Sequence, residues 1–121
     1  METVEFTHKG WLHKQSRYRK KWRHRYTVLT HHHIMTFNSE RMADTPTELM
    51  PFKHCKGVKS AEEVTNAPYS FCVETDRGDF FFYCSCEREK KEWMRAIKYS
   101  IQAPCVWEVR KYTEDTSDEE R

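Results

Sequence analysis

The sequence predicts a mainly β chain that ends in one α-helix, and three observations carry that prediction. Residues 10–15 and 22–29 are β-branched, aromatic or long, and the basic, turn-prone stretch 16–21 between them marks an antiparallel hairpin. Residues 69–75 and 79–84 repeat the pattern across Asp76, Arg77 and Gly78, a second hairpin with turn chemistry at its centre. The period then changes: Trp93, Ala96, Ile97 and Ile101 recur at the 3.6-residue spacing of one helical face, while Glu, Lys and Arg cover the rest.

Between the hairpins, "HIMTF" (33–37) reads as a third strand, and "NSERMADTPT" carries the Asn, Ser, Asp and Pro punctuation of a loop. "ELMPFKHC" and "KGVKS" are weaker strand signals, which brings the expected count to seven short strands. For the helix, roughly 86–102, Ser85 is the expected N-cap, Glu87 meets the positive end of the helix dipole, and Glu87 and Lys91 form an i,i+4 pair. Pro104 stops it. The expected organisation is a lead-in at 1–7, one domain over 8–102, a short extension at 103–112 and an acidic, disordered tail at 113–121.

At 121 residues the chain suits one domain with a modest core. Its net charge is only +2, but the signs are segregated: no acid lies between Glu5 and Glu40, and "TEDTSDEER" closes the sequence. Crowded cations oppose folding by mutual repulsion, so the cluster in "KGWLHKQSRYRKKWRHRYTVL" points to an anion that binds it. Five cysteines, an odd number with no apolar leader before them, favour the cytosolic side of the cell over a disulfide framework. No apolar run approaches the roughly 20 residues needed to span a bilayer, so membrane contact is expected to be peripheral.

No Gly-rich phosphate loop, nucleophile elbow or HExxH helix is present, so the chain is read as no enzyme, with no cofactor. His31, His32 and His33 are consecutive and point apart, and Cys84 and Cys86 lack a second pair, so no metal site is expected. Protonation of His13, His24 and the His31–His33 trio below about pH 6.5 would strengthen phosphate binding. Thr116 and Ser117 sit among acids that suit a phosphorylation site, and the tail is a candidate competitor for the cationic mouth.

The "GWLHK…KKWRHRYTVLT" hairpin, the Phe/Tyr-rich seventh strand and the Trp of "EWMRAI", in that order over residues 8–102, resemble the pleckstrin homology (PH) domain family. The resemblance implies a partly open seven-stranded barrel of two orthogonal antiparallel sheets, capped by the C-terminal helix with Trp93 as its structural anchor. Lys14, eight intervening residues, then Arg23-His24-Arg25 match the basic motif of phosphoinositide-binding members of the cytohesin type. Strand alternation puts Leu12 and Lys14 on one face, and Arg23, Arg25, Thr27 and Leu29 on one face of the next strand. There the cations can converge on a polyphosphate, with Arg gripping its oxygens bidentately.

Loop residues Arg17, Arg19, Lys20 and Lys21 add field and contacts, and Thr36 stands where the closest look-alikes place a phosphate-contacting Tyr. Trp22, beside the loop, is the membrane-insertion candidate. The expected function is therefore a signalling module that binds phosphoinositide headgroups and an anionic membrane surface, peripheral and cytoplasmic. The alternative is an adaptor on the same fold that binds a protein partner through the seventh strand or the helix face. Nucleic-acid binding ranks last, because the fold gives most of the aromatic residues packing roles.

Overall fold

The computed structural model describes residues 6–16, 20–41 and 44–102. The elements are β1 (Phe6–Gln15), β2 (Trp22–Thr30), β3 (His33–Phe37), β4 (Glu48–Pro51), β5 (Cys55–Ser60), α1 (Glu62–Thr65), β6 (Ser70–Thr75), β7 (Gly78–Tyr83) and α2 (Glu87–Gln102). All seven strands join one antiparallel sheet in the order β4-β3-β2-β1-β7-β6-β5. The two halves anticipated from the sequence are thus continuous through β1, which pairs along its length with β2 and also meets β7 at His13–Tyr83 and Lys14–Phe82. The ladder stays open between its edges β4 and β5.

Local chemistry explains the turns. Thr75 Oγ1 accepts the Arg77 N–H at 3.0 Å and donates to the Gly78 carbonyl at 2.6 Å, and Gly78 takes φ 116°, a conformation that glycine adopts without Cβ strain. Thr30 Oγ1 accepts the amides of His32 and His33 at 3.1 and 3.0 Å and so folds the β2–β3 turn. The three consecutive histidines are that turn and the start of β3, with His31 and His32 exposed.

The core lies between the concave face of the sheet and α2. Leu12, Leu29, Ile34, Met50, Phe52, Phe71, Val73, Phe80 and Phe82 are buried together with Trp93 and Ile97 of the helix. The Trp93 ring runs over β1, with Cζ2 3.5 Å from where a Cβ on Gly10 would stand, and packs perpendicular to the His8 ring with 4.4 Å between centroids. The helix starts one residue later than the sequence reading: Lys90 N–H donates to the Cys86 carbonyl, so Cys86 takes the N-cap and Ser85 precedes it. Ser85 instead gives its hydroxyl to Glu89 Oε1 at 2.8 Å. Among the described residues the ion pairs do not include Glu87 with Lys91. Lys90, 5% exposed, turns inward and binds Glu62 of α1.

Cys55, Cys72 and Cys84 are free and buried, and desolvation raises their thiols to about 11, about 11 and about 12. They stay protonated and serve as packing groups. No helix among the described residues is long and apolar enough to cross a membrane. The 103–112 extension, the 113–121 tail and its Thr116 and Ser117 lie outside the described residues.

Candidate functional site

In an antiparallel pair, residues directly opposite share a face. The β1–β2 register opposes Lys14 to Arg23 and Leu12 to Arg25, so all four side chains leave one face of the hairpin. Leu12 is 2% exposed and roots that face in the core, while Arg23 is exposed and Arg25 half-buried. The three cations of the motif are therefore brought to one side at the turn end of the hairpin. Arg25 Nη1 donates to the His24 carbonyl at 3.0 Å, which fixes its guanidinium near the rim.

Ser16 holds the base of the turn: its amide donates to the Lys21 carbonyl at 2.7 Å, and its hydroxyl accepts the Lys21 N–H at 3.0 Å. Lys20, at φ 55°, and Lys21 are exposed beside it. Arg17 and Arg19 lie outside the described residues.

Two features of the site were not foreseen. Lys14 is 7% exposed, its Nζ lies 3.2 Å from Glu48 Oε1, and it sits 5.3 Å from the centroid of the Phe80 ring. One cation of the motif is thus already paired with a carboxylate from β4, across 34 positions of sequence that no local pattern connects. Thr27, Thr36 and Glu48 stand in one cross-strand row on the cation-bearing face, so Glu48 projects to the same side as Lys14.

The second is Thr36. It is fully buried, and its hydroxyl lies 2.7 Å from that of Thr47, which donates to the Thr36 carbonyl at 3.1 Å. The Thr36 hydroxyl is left to donate to Thr47 and is shut off from solvent.

The opposite face of the same hairpin is aromatic. Trp22 lies there, half-buried, with its ring edge-on to Tyr83 at 4.8 Å, which places the insertion candidate away from the cations. His13 and His24 share that outer face, with ring centroids 4.8 Å apart, on the opposite side of the sheet from Lys14. Partial burial, and then the neighbouring His24, lower the His13 pKa below its ordinary value.

Seven antiparallel strands closed by a C-terminal helix define the class of module, and residues 6–102 match the family model of the PH domain. The chain belongs to the PH domain family. It is 36% identical over 96 residues to "Pleckstrin homology domain-containing protein 1" of Arabidopsis thaliana, an alignment covering 76% of this chain and 66% of that protein. A solution structure of a pleckstrin homology domain superposes with a TM-score of 0.73 at 22% identity, covering 88% of this chain and 91% of that one. The C-terminal PH domain of pleckstrin, solved in complex with D-myo-Ins(1,2,3,4,5)P5, superposes with a TM-score of 0.67 at 23% identity, over 79% of this chain and 98% of that one.

Proposed function

We propose that the chain binds the inositol phosphate headgroup of a phosphoinositide and is recruited by it to the cytosolic face of a membrane. The observation that carries this reading is the β1–β2 register, which gathers Lys14, Arg23 and Arg25 on one face. The Lys14 to Arg25 spacing of the cytohesin type supports it. So does the likeness in fold to a pleckstrin domain solved with an inositol pentakisphosphate.

The mechanism has two stages. Lys20 and Lys21, with Arg17 and Arg19 of the same loop, first draw the domain to an anionic leaflet, at about 1 kcal/mol per basic residue near the surface. Arg23 and Arg25 then grip phosphate oxygens, each with a planar fork of donors. Lys14 contributes less than its position suggests, because a phosphate that takes Lys14 must displace Glu48 or share the lysine with it. The reading uses residues 8–102 as the binding unit, with recruitment in signalling as its role and no catalytic step.

Flotation with phosphatidylcholine vesicles carrying one phosphoinositide at a time tests it. The expected result is headgroup-selective flotation of the native chain and its loss in Arg25→Ala. Failure of the native chain to bind any phosphoinositide vesicle, or full binding by the folded variant, would overturn the proposal.

A further inference from the structure

The outer face of the hairpin carries chemistry that headgroup capture leaves unused. From the start of β2 across β7 and β1 and back to β2, the rings of Trp22, Tyr83, His13, His24, Trp11 and Tyr26 form an unbroken chain of contacts. His13 stacks on Tyr83 at 4.4 Å with 4° between planes, and Trp11 on His24 at 4.4 Å with 17°. Side chains stand off a sheet, so stacked neighbours cover one another's faces and present their edges outward. Beside them opens a cleft of about 380 Å3, lined by Trp11, His13, His24, Tyr83, Ser85 and Glu89.

The chemistry of this strip selects its occupant. Ring edges carry the positive end of the aromatic quadrupole, so they favour carbonyl oxygens over cations. The Trp22 indole N–H and the Tyr83 hydroxyl supply two donor groups to a half-buried apolar strip. At the α2 side stands Glu89, whose Oε1 already holds Ser85. At the Trp11 end Glu40 accepts the indole N–H at 3.0 Å. At its Trp11 and α2 sides the strip is thus apolar, rich in donors and bordered by carboxylates.

We infer that the outer face of β1, β2 and β7 binds a proline-rich peptide flanked by a basic residue. Such a segment is extended before it binds, has no internal hydrogen bonds, and exposes a carbonyl at every residue with apolar rings between them. Pyrrolidine rings would fill the gaps between upright aromatic rings, the Trp22 and Tyr83 donors would take carbonyls, and Glu89 would pair with the flanking Lys or Arg. A membrane headgroup fits poorly, because Glu40 and Glu89 repel phosphate. The surface is independent of the headgroup site, which leaves the other face of the same strands.

The test is a titration of the full chain, labelled with nitrogen-15, with decaproline bearing a C-terminal arginine, monitored by NMR. Saturable shifts are expected at the Trp11 and Trp22 indole N–H signals and at the amides of His13, His24 and Tyr83. Tyr83→Phe removes one hydroxyl without changing shape and should weaken binding about fivefold, the worth of one hydrogen bond. Glu89→Gln should weaken the arginine-bearing peptide but not plain decaproline, and Arg25→Ala should bind peptide as the native chain does.

The inference is overturned by the absence of saturable shifts at millimolar peptide. An equal response to a Gly-Ser peptide with the same arginine would also overturn it. So would a response at these rings to oligothymidine or choline but not to decaproline, or loss of peptide binding in Arg25→Ala.

Discussion

Replacing Glu48 with Gln should tighten headgroup binding. Glu48 Oε1 lies 3.2 Å from Lys14 Nζ, and the side chains are 26% and 9% exposed. A phosphate that reaches Lys14 comes within about 4 Å of the carboxylate, where unit charges repel by about 1 kcal/mol in water and about 4 kcal/mol at an effective dielectric constant near 20. Glu48 is a quarter exposed and Arg23 opens the rim to solvent, so the lower part of that range applies. Relief of about 1–2 kcal/mol corresponds to an affinity gain of about 5- to 30-fold.

The same change strips a buried ammonium of its partner, so the unliganded variant should melt earlier than the native chain. The Phe80 ring still attracts Lys14, which limits that loss. Ligand should then restore more stability to Glu48→Gln than to the native chain. Isothermal titration with soluble inositol polyphosphates reads the affinity, and thermal melts with and without ligand read the linkage. A folded Glu48→Gln that binds no tighter than the native chain would refute the account of Lys14 as a shared cation.

Thr36→Val should cost about 1 kcal/mol of stability in urea denaturation, the worth of its hydrogen bond to Thr47, and leave headgroup affinity unchanged; a fall in affinity would restore Thr36 to the site. Glu62→Gln should destabilise the fold by about 1–2 kcal/mol, less than the about 3–5 of a fully buried pair, because Glu62 is 38% exposed while Lys90 is 6% exposed. Lys90→Met should cost less than Glu62→Gln, since it leaves no orphaned charge, and the reverse order by urea denaturation would contradict the pairing. The Lys90 hydrogen bond holds the Glu62 carboxyl below its ordinary value, so that stabilisation is present above about pH 4.5 and is lost as pH falls through the folded value. Burial first, then His24 for His13, and His32 with Lys53 for His33, depress both imidazoles below 6.5. The fold keeps them neutral while the unfolded chain takes up protons, so stability is whole above pH 6.5 and declines as pH drops through the folded values. His24 and Tyr83 face His13, and Glu89 lines the same cleft. The urea midpoint should therefore fall between about pH 7.5 and about pH 5.5, and a His13→Gln, His33→Gln double variant should flatten the slope; a flat native profile would count against the assignment.

Local signals were readable in the sequence. β3 was expected at 33–37 and occupies His33–Phe37, because alternation and a threonine-led turn bracket it. The β6–β7 hairpin was legible from its Asp-Arg-Gly turn. β1 begins earlier than expected, at Phe6, because what extends "FTHK" is pairing with the far end of β2, Phe6 to Thr30 and His8 to Leu29, and such partners leave no local trace. β4 ends at Pro51 and gives way to a 3-10 turn over Phe52–His54, so "ELMPFKHC" is half strand. α1 is a single turn of 4 residues, too short to show a helical period. Side-chain partners across distant strands were equally hidden, which is why Glu48, Thr47 and the Lys90–Glu62 pair emerged only with the fold.

The density of charge and rings in residues 9–29 has one physical cause, a strand period of two. Along β1 the order Trp11, Leu12, His13, Lys14 alternates ring and non-ring, and along β2 the order Trp22, Arg23, His24, Arg25, Tyr26 does the same. Antiparallel pairing then stacks like with like, so cations collect on the concave side and rings on the convex side. A one-residue slip in register would put Lys14 among the rings and Trp11 in the barrel mouth, and both surfaces would fail at once. The length of the turn between these strands is therefore under tighter constraint than its composition. Deleting one residue from 17–19 should abolish headgroup and peptide binding together, whereas replacing those residues by serine should weaken only the approach to the membrane.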